Sequence, residues 1–537
     1  MKIPNGVERE SFYLDIMQKC MVSREARKGD YHIQRAYFLF GSPPEESPAY
    51  FNKINPHLDQ LTSFLYSAET TRFSIQLGAS AHTNEHHKTP VLTQAINDEW
   101  FNSNADQVFS TALTWALCYG STFIKLTTRK GINPYMVEPA SIGVLREDAP
   151  YTDRQEALVH TYYLTKSDLY ARLYSNPNRK SIVERIVAGS RSEESDVPEA
   201  VNRIVMSQSN PTIYGNVNME LYGMNKYNPQ VAEDLVEMRE MWLWNDDTED
   251  YQVVTIANPD VVLYDRSGES MFLKGECPFV QICPNPLPNY FWGASECQKL
   301  IMLQQLRNTR MTEILDLLSK QVAPPRMFSG ISGILDEKFL ALNRAGSHIA
   351  SDMPGAKVDS LAPEMPSDLF EVIHEIDAMF AEVSGISNVL SGKGESGVRS
   401  QGHASQLARL GSSRAKKRAL IVEDSLEKVA TLYLKLMKVY DDTHFKDTDG
   451  KEFIAEQFTD DFIVKVDAHS NSPIFTEDLK QLAFNLFKAQ AIDKESLLDL
   501  LEPPMKQLLK DKLKRNEAKG QAQQSKEKPK DIEHKAE

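Results

Sequence analysis

The sequence predicts an α+β fold in which a mixed first half leads into long helices. Three observations predict it. Apolar residues recur at three- and four-residue steps in several long windows, the spacing of one buried helical face. Between residues 235 and 284 the pattern changes to short alternating runs separated by turn residues, the spacing of strands. From Ser295 onward helical windows dominate again and give way to a Lys/Glu/Gln-rich tail beyond Arg515. The 537 residues, 41% hydrophobic and 25% charged, suffice for one large elaborated fold or several domains.

Residues 7–40 read as a helix rich in both charge signs, broken at Gly41 to Ala49 by Pro43, Pro44 and Pro48. A second helix is expected near 56–68, with Leu58, Leu61, Phe64 and Leu65 on one face. Arg72 to Leu77 alternates like a strand, and a polar loop runs on to Pro90. Residues 91–118 read as one amphipathic helix stopped at Tyr119-Gly120. Strands follow at Thr122 to Leu126 and within Tyr135 to Leu145. The polar region 179–232 reads as a helix plus a long surface insertion. Val236 to Trp244 and Gln252 to Ile256 flank Asn245-Asp246-Asp247-Thr248, a hairpin turn. Val261 to Tyr264 and Phe279 to Cys283 are expected to continue that sheet.

A helix is expected from Ser295 to Gln321, with Ser295 and Gln298 spaced as a capping box, stopped by Pro324-Pro325. Residues 326–365 read as short strands and turns. The next helix begins after Pro366. Asp368 and Glu371 occupy its first turn, where the helix dipole favours anions. Leu369, Val372, Ile373, Ile376, Met379 and Phe380 form its apolar stripe, and Glu371, Glu375 and Glu382 an acidic outer face. A Gly-rich loop follows with Lys393 and Arg399. A helix from His403 to Tyr440 is then expected, kinked at Gly411-Ser412-Ser413 and followed at once by Arg414, Lys416, Lys417 and Arg418. Residues 453–468 read as β-like, 476–514 as helical, and the tail as disordered.

Composition excludes several classes of function. The net charge of -15 argues against tight DNA binding over the whole surface, because that needs Lys and Arg to displace counterions. Cys20, Cys118, Cys277, Cys283 and Cys297 are few, odd in number and without a C-x-x-C pair, which suits a reducing compartment. The first residues lack a signal-peptide core, and no apolar run is long enough for a membrane span, so no membrane contact is expected. His82-Thr83-Asn84-Glu85-His86 spells H-x-x-E-H, yet it lies in a polar loop without the helical face that zinc chemistry needs. Gly392-Lys393 fails the phosphate-loop pattern, since Ser387 and Gly394 stand where a Gly and a Ser or Thr are required. No catalytic residue, metal or cofactor is expected.

The order of elements resembles the portal protein of tailed double-stranded DNA bacteriophages. The strings Tyr50 to Pro56, Tyr119 to Lys125, Val137-Glu138-Pro139 and Ser396 to Ser400 carry the likeness, with Trp292-Gly293-Ala294-Ser295-Glu296 at the head of a stem helix. The resemblance implies a wing over 1–290, a first stem helix over 291–321 and a clip over 322–365. It implies a second stem helix over 366–385, a tunnel loop over 386–401, and a long kinked helix with wing completion over 402–472. A helical crown over 473–515 and a disordered tail over 516–537 complete it.

It further implies a homododecameric ring at one capsid vertex, a structural virion protein and not an enzyme. Double-stranded DNA would pass through the channel. The terminase large subunit, capsid and scaffolding proteins, and head-completion, adaptor or tail proteins would be partners, with assembly in the host cytoplasm. Glu371, Glu375 and Glu382 would either line the channel, where like charge lets DNA slide, or form ion pairs with Arg414 to Arg418 of a neighbouring copy. Lys393 and Arg399 would make brief phosphate contacts, and Arg414, Lys416, Lys417 and Arg418 would face a neighbouring subunit. The competing readings are another oligomeric capsid or tail component and a metal-dependent hydrolase built on His82, Glu85 and His86.

Overall fold

Alternation in the segment around Asn245 produces the largest sheet. The computed structural model describes residues 1–43, 51–67, 71–79, 83–128, 131–190, 235–257, 261–322, 326–329, 357–360, 368–384, 413–466 and 482–501, apart from single positions. Strands β4 (Ile142–Val144), β5 (Ala157–Thr165), β6 (Leu235–Asn245), β7 (Asp250–Ala257) and β8 (Val261–Ser267) form one antiparallel sheet in that order. The strand period of two divides β6: Met241 and Leu243 face one way, Glu240 and Trp242 the other. Helix α1 (Glu8–Phe40) covers the first face with Tyr13, Ile16, Met17 and Cys20, against Ala157, Val159, Val254 and Ile256. Helices α5 (Lys166–Arg172) and α6 (Arg179–Ser190) close one end of the sheet through Leu169, Leu173, Val183 and Ile186.

Phe279 to Cys283 does not extend this sheet. Strand β9 (Phe279–Ile282) pairs instead with β2 (Thr122–Thr127), which also pairs with β3 (Asn133–Val137). The two sheets meet at a buried ion pair. Lys125 Nζ on β2 lies 2.7 Å from Glu240 Oε1 on β6, and Trp242 Nε1 donates to the same oxygen at 2.7 Å. Burial alone would raise the Glu240 carboxyl. Lys125, His160 and the two hydrogen bonds outweigh it and hold the pKa down to about 2.

The amphipathic segment 91–118 is two helices. α3 (Thr89–Asn102) and α4 (Ala105–Tyr119) break at Asn104, which takes the left-handed conformation (φ 53°). Asparagine tolerates that region better than most residues. Pro90 belongs to the first turn of α3 rather than to a preceding loop, since its missing N–H is unneeded there. Counting three- and four-residue steps merges the two helices, although their buried faces lie roughly half a turn apart on an ideal helix.

Strand β1 (Phe73–Leu77) pairs antiparallel with β14 (Phe462–Val466), joining distant parts of the chain. Side chains close both edges of this ribbon. Asn97 and Thr93 of α3 accept from the Phe73 and Ile75 amides, and Glu427 accepts from that of Val466. Such closure blocks edge-to-edge pairing.

Three long helices complete the frame: α7 (Glu296–Val322), α8 (Leu369–Ser384) and α9 (Ser413–Tyr440). α9 runs through the main core, packing on α2 (Ile54–Leu65), β9 and β14. Its Leu426, Val429, Leu432, Tyr433, Leu436 and Met437 are all buried. Each such side chain contributes roughly 1.5–3 kcal/mol of transfer free energy. Strands β10 (Arg326–Ser329) and β11 (Lys357–Ser360) pair between α7 and α8, and β12 (His444–Lys446) pairs with β13 (Glu452–Ile454). Residues 482–488 and α10 (Lys494–Leu501) are helical, as expected for part of 476–514. Most of the insertion after residue 190, the loop 386–401, the kink at Gly411-Ser412 and the tail lie outside the described residues.

Candidate functional site

The root of α7 joins four segments far apart in sequence. Gly120 ends α4 with φ +93°, and a Cβ on it would run into the carbonyl of Gly293. The reverse holds for Gly293 against the Gly120 carbonyl. The two strings Tyr119 to Lys125 and Trp292 to Glu296 are therefore one contact. Ser121 Oγ accepts from the Gly293 amide at 3.1 Å. Ser295 caps α7 by accepting from the Gln298 amide at 2.9 Å, which is half of the expected box. The Gln298 side chain takes a different partner, accepting from Gln34 Nε2 of α1 at 3.3 Å.

Glu296, the first residue of α7, is 1% exposed and holds three donors on one oxygen. Arg418 Nη2 of α9 lies at 2.6 Å, Lys299 Nζ at 2.8 Å and Asn285 Nδ2 at 2.9 Å. The helix dipole favours an acid at this place. His57 of α2 stands beside the pair. Burial pushes its imidazole down to about 4; Arg418 pushes the same way and Glu296 opposes.

About two turns further along, α7 turns polar side chains inward. Gln304 is fully buried; it donates to the Phe51 carbonyl at 3.0 Å and accepts from the Lys53 amide at 3.0 Å. Arg307 is buried too, and its Nε lies 3.0 Å from Asp377 Oδ1 of α8, while Lys53 Nζ lies 3.3 Å from Oδ2. Asp377 thus ties α8, α7 and the entry to α2 together. The reading from apolar spacing missed these residues. The available signal was their phase: Leu300, Gln304, Arg307 and Ile314 share one face of α7.

The tie leaves α8 with three distinct sides. Ile373, Ile376 and Phe380 are buried. Glu371, Glu375 and Glu382 are exposed. At 3.6 residues per turn these acids fall within about 40° of one another and roughly 150° from the buried stripe. Val372, Met379 and Val383 stand between the two, exposed and apolar. Two residues expected in the buried stripe, Val372 and Met379, therefore lie on an open flank. On the far side of α7, Met302 (77% exposed) and Leu306 are also uncovered.

Of the basic candidates, Arg418 turns inward to Glu296, Lys416 is half-buried and Lys417 is exposed. Lys393, Arg399 and the Arg414 side chain lie outside the described residues. So does His82. Glu85 pairs with Lys88 at 3.1 Å, and His86 is exposed on a 3-10 turn (Thr83–His87). Among the described residues, no group of three or more His, Cys, Asp or Glu side chains could hold a metal ion, and no helix is long and apolar enough to cross a membrane.

No curated protein matches the chain. Solved structures that align with it include the virion of a native gene transfer agent particle, at 10% identity and TM-score 0.41, covering 90% of this chain and 98% of the other. The neck of an empty particle of the same kind aligns at 10% identity and TM-score 0.40, covering 83% and 90%. The family model described as Phage SU10 portal protein matches residues 76–482, from β1 through the core helix α9 and β14, and the chain belongs to that family.

Proposed function

We propose that the chain is the subunit of a dodecameric portal ring at one capsid vertex. It is a structural connector and not an enzyme, and DNA enters and leaves through its axial channel. The supporting observation is α8, which has one side buried on α7, an open apolar flank, and an acidic line turned away from the core. An apolar flank on each of two paired helices is a surface that a second copy can cover, and head-to-tail contacts form a ring where the rotation between copies closes. The acidic line is suited to a DNA conduit, because a wall of like charge repels the phosphate backbone instead of holding it.

In this reading residues 1–290 are the wing, α7 and α8 the stem, 322–365 the clip, 386–401 the tunnel loop and 473–515 the crown. The clip receives the terminase large subunit and later the head-completion, adaptor or tail proteins. Capsid and scaffolding proteins surround the ring, which is assembled in the host cytoplasm. Lys393 and Arg399 touch phosphates briefly, and Arg414, Lys416 and Lys417 face a neighbouring subunit. The test reverses the acidic line with Glu371→Lys, Glu375→Lys and Glu382→Lys. Rings should still form while the particles fill with less DNA. Normal filling by assembled rings would contradict the channel role of these residues.

A further inference from the structure

Cys118 lies in the last turn of α4 and Cys297 in the first turn of α7, and their thiols meet inside the root. Both Sγ atoms point at one acceptor, the Gln34 carbonyl of α1, at 3.7 and 3.4 Å. Both side chains are fully buried, and the acceptor they share brings the two thiols to one point of the core. The remaining cysteines are placed differently: Cys20 is buried under the large sheet, and Cys277 and Cys283 are partly exposed.

We infer that Cys118 and Cys297 form a modification site, a dithiol that hydrogen peroxide converts to a disulfide joining α4 to α7. One thiolate attacks the peroxide O–O bond and becomes a sulfenic acid, and the released hydroxide takes up the thiol proton as water. The second sulfur then displaces the sulfenic hydroxyl, which leaves as the second water while the S–S bond forms. Two thiols lose two electrons, and the peroxide is reduced to two waters. In a reducing compartment the pair stays open. Burial raises the Cys118 thiol well above its ordinary range, so thiolate forms only when the root opens. Oxidation is accordingly slow, and once complete it prevents the root from reopening. The closed loop holds about 180 residues, a length at which a crosslink restricts the unfolded chain strongly.

The test is peptide mass mapping, without reduction, of the full-length chain after hydrogen peroxide and thiol capping. The peptides carrying Cys118 and Cys297 should appear joined, lighter by two hydrogens than their sum. The Tm should rise by a few degrees and return on adding dithiothreitol, and Cys297→Ser should show no rise. The inference is overturned if both cysteines remain separate, or pair elsewhere, after Cys277 and Cys283 are fully oxidised. A joined pair with a lowered Tm overturns the locking role.

Discussion

Removing Glu296 should cost more than removing a typical surface charge. Its carboxylate is buried and is the partner that the structure gives Arg418, whose side chain is only 12% exposed. Glu296→Ala leaves that guanidinium inside the root without its anion. Breaking a buried pair in this way costs about 3–5 kcal/mol, much of it from the stranded charge. Glu296→Gln keeps an acceptor for Asn285 and Lys299 and should cost less, about 1.5–3 kcal/mol for a lost charged hydrogen bond. Arg418→Met on the Glu296→Ala background removes the stranded charge, so the double variant should be more stable than the sum of the single losses, by about 0.5–3 kcal/mol. Urea unfolding followed by tryptophan fluorescence reads this well, because Trp292 sits at the same root. Additive losses within experimental error would show that the pair is not coupled, and the account of the root would be wrong.

Other predictions follow from the same geometry. Gly120→Ala meets the Gly293 carbonyl and takes a left-handed backbone; thermal unfolding should show a loss of about 2–4 kcal/mol from overpacking and strain, and an unchanged Tm would refute the interlock. His57 is held down to about 4, so the unfolded chain takes up that proton first as pH falls below the ordinary 6.5. Stability should therefore fall between pH 6.5 and 4 by up to about 3 kcal/mol, and His57→Gln should flatten that part of the Tm profile. Glu240, held at about 2, contributes stability present above 4.5 and lost as pH falls toward 2, a separate window that His57→Gln leaves unchanged. Val372→Lys with Met379→Lys changes only exposed positions; it should abolish self-association by analytical ultracentrifugation while moving monomer stability by no more than about 0.5 kcal/mol.

Much of this was legible in the sequence because period and punctuation carry it. The long helices at 8–40, 296–322 and 413–440 follow from apolar spacing, and the β6–β7 hairpin follows from Asn245 to Thr248 between alternating runs. The break at Asn104 was not legible from step spacing, which stays near three and four residues while the buried face shifts by roughly half a turn, from Leu92, Ile96 and Trp100 to Ala105, Phe109 and Leu113. Nor was the partner of β9: strand character is local, while pairing is decided by what else needs covering, here β2. Strand β5, between β4 and β6 in the large sheet, is absent from the expected strands although Leu158, Val159 and Leu164 are apolar and buried. At the site, the acidic line on α8 followed from helical phase, but the inward turn of Arg418 did not. A run of four bases reads as a solvated face until its buried acid, more than a hundred residues away, is known.

The central claim is that this chain builds a ring with an axial channel, and electron microscopy of the purified full-length protein tests it most directly. The account predicts closed rings of twelve copies around a central hole, with the acidic line of α8 facing the lumen. Monomers, open filaments or closed particles without a hole would contradict it.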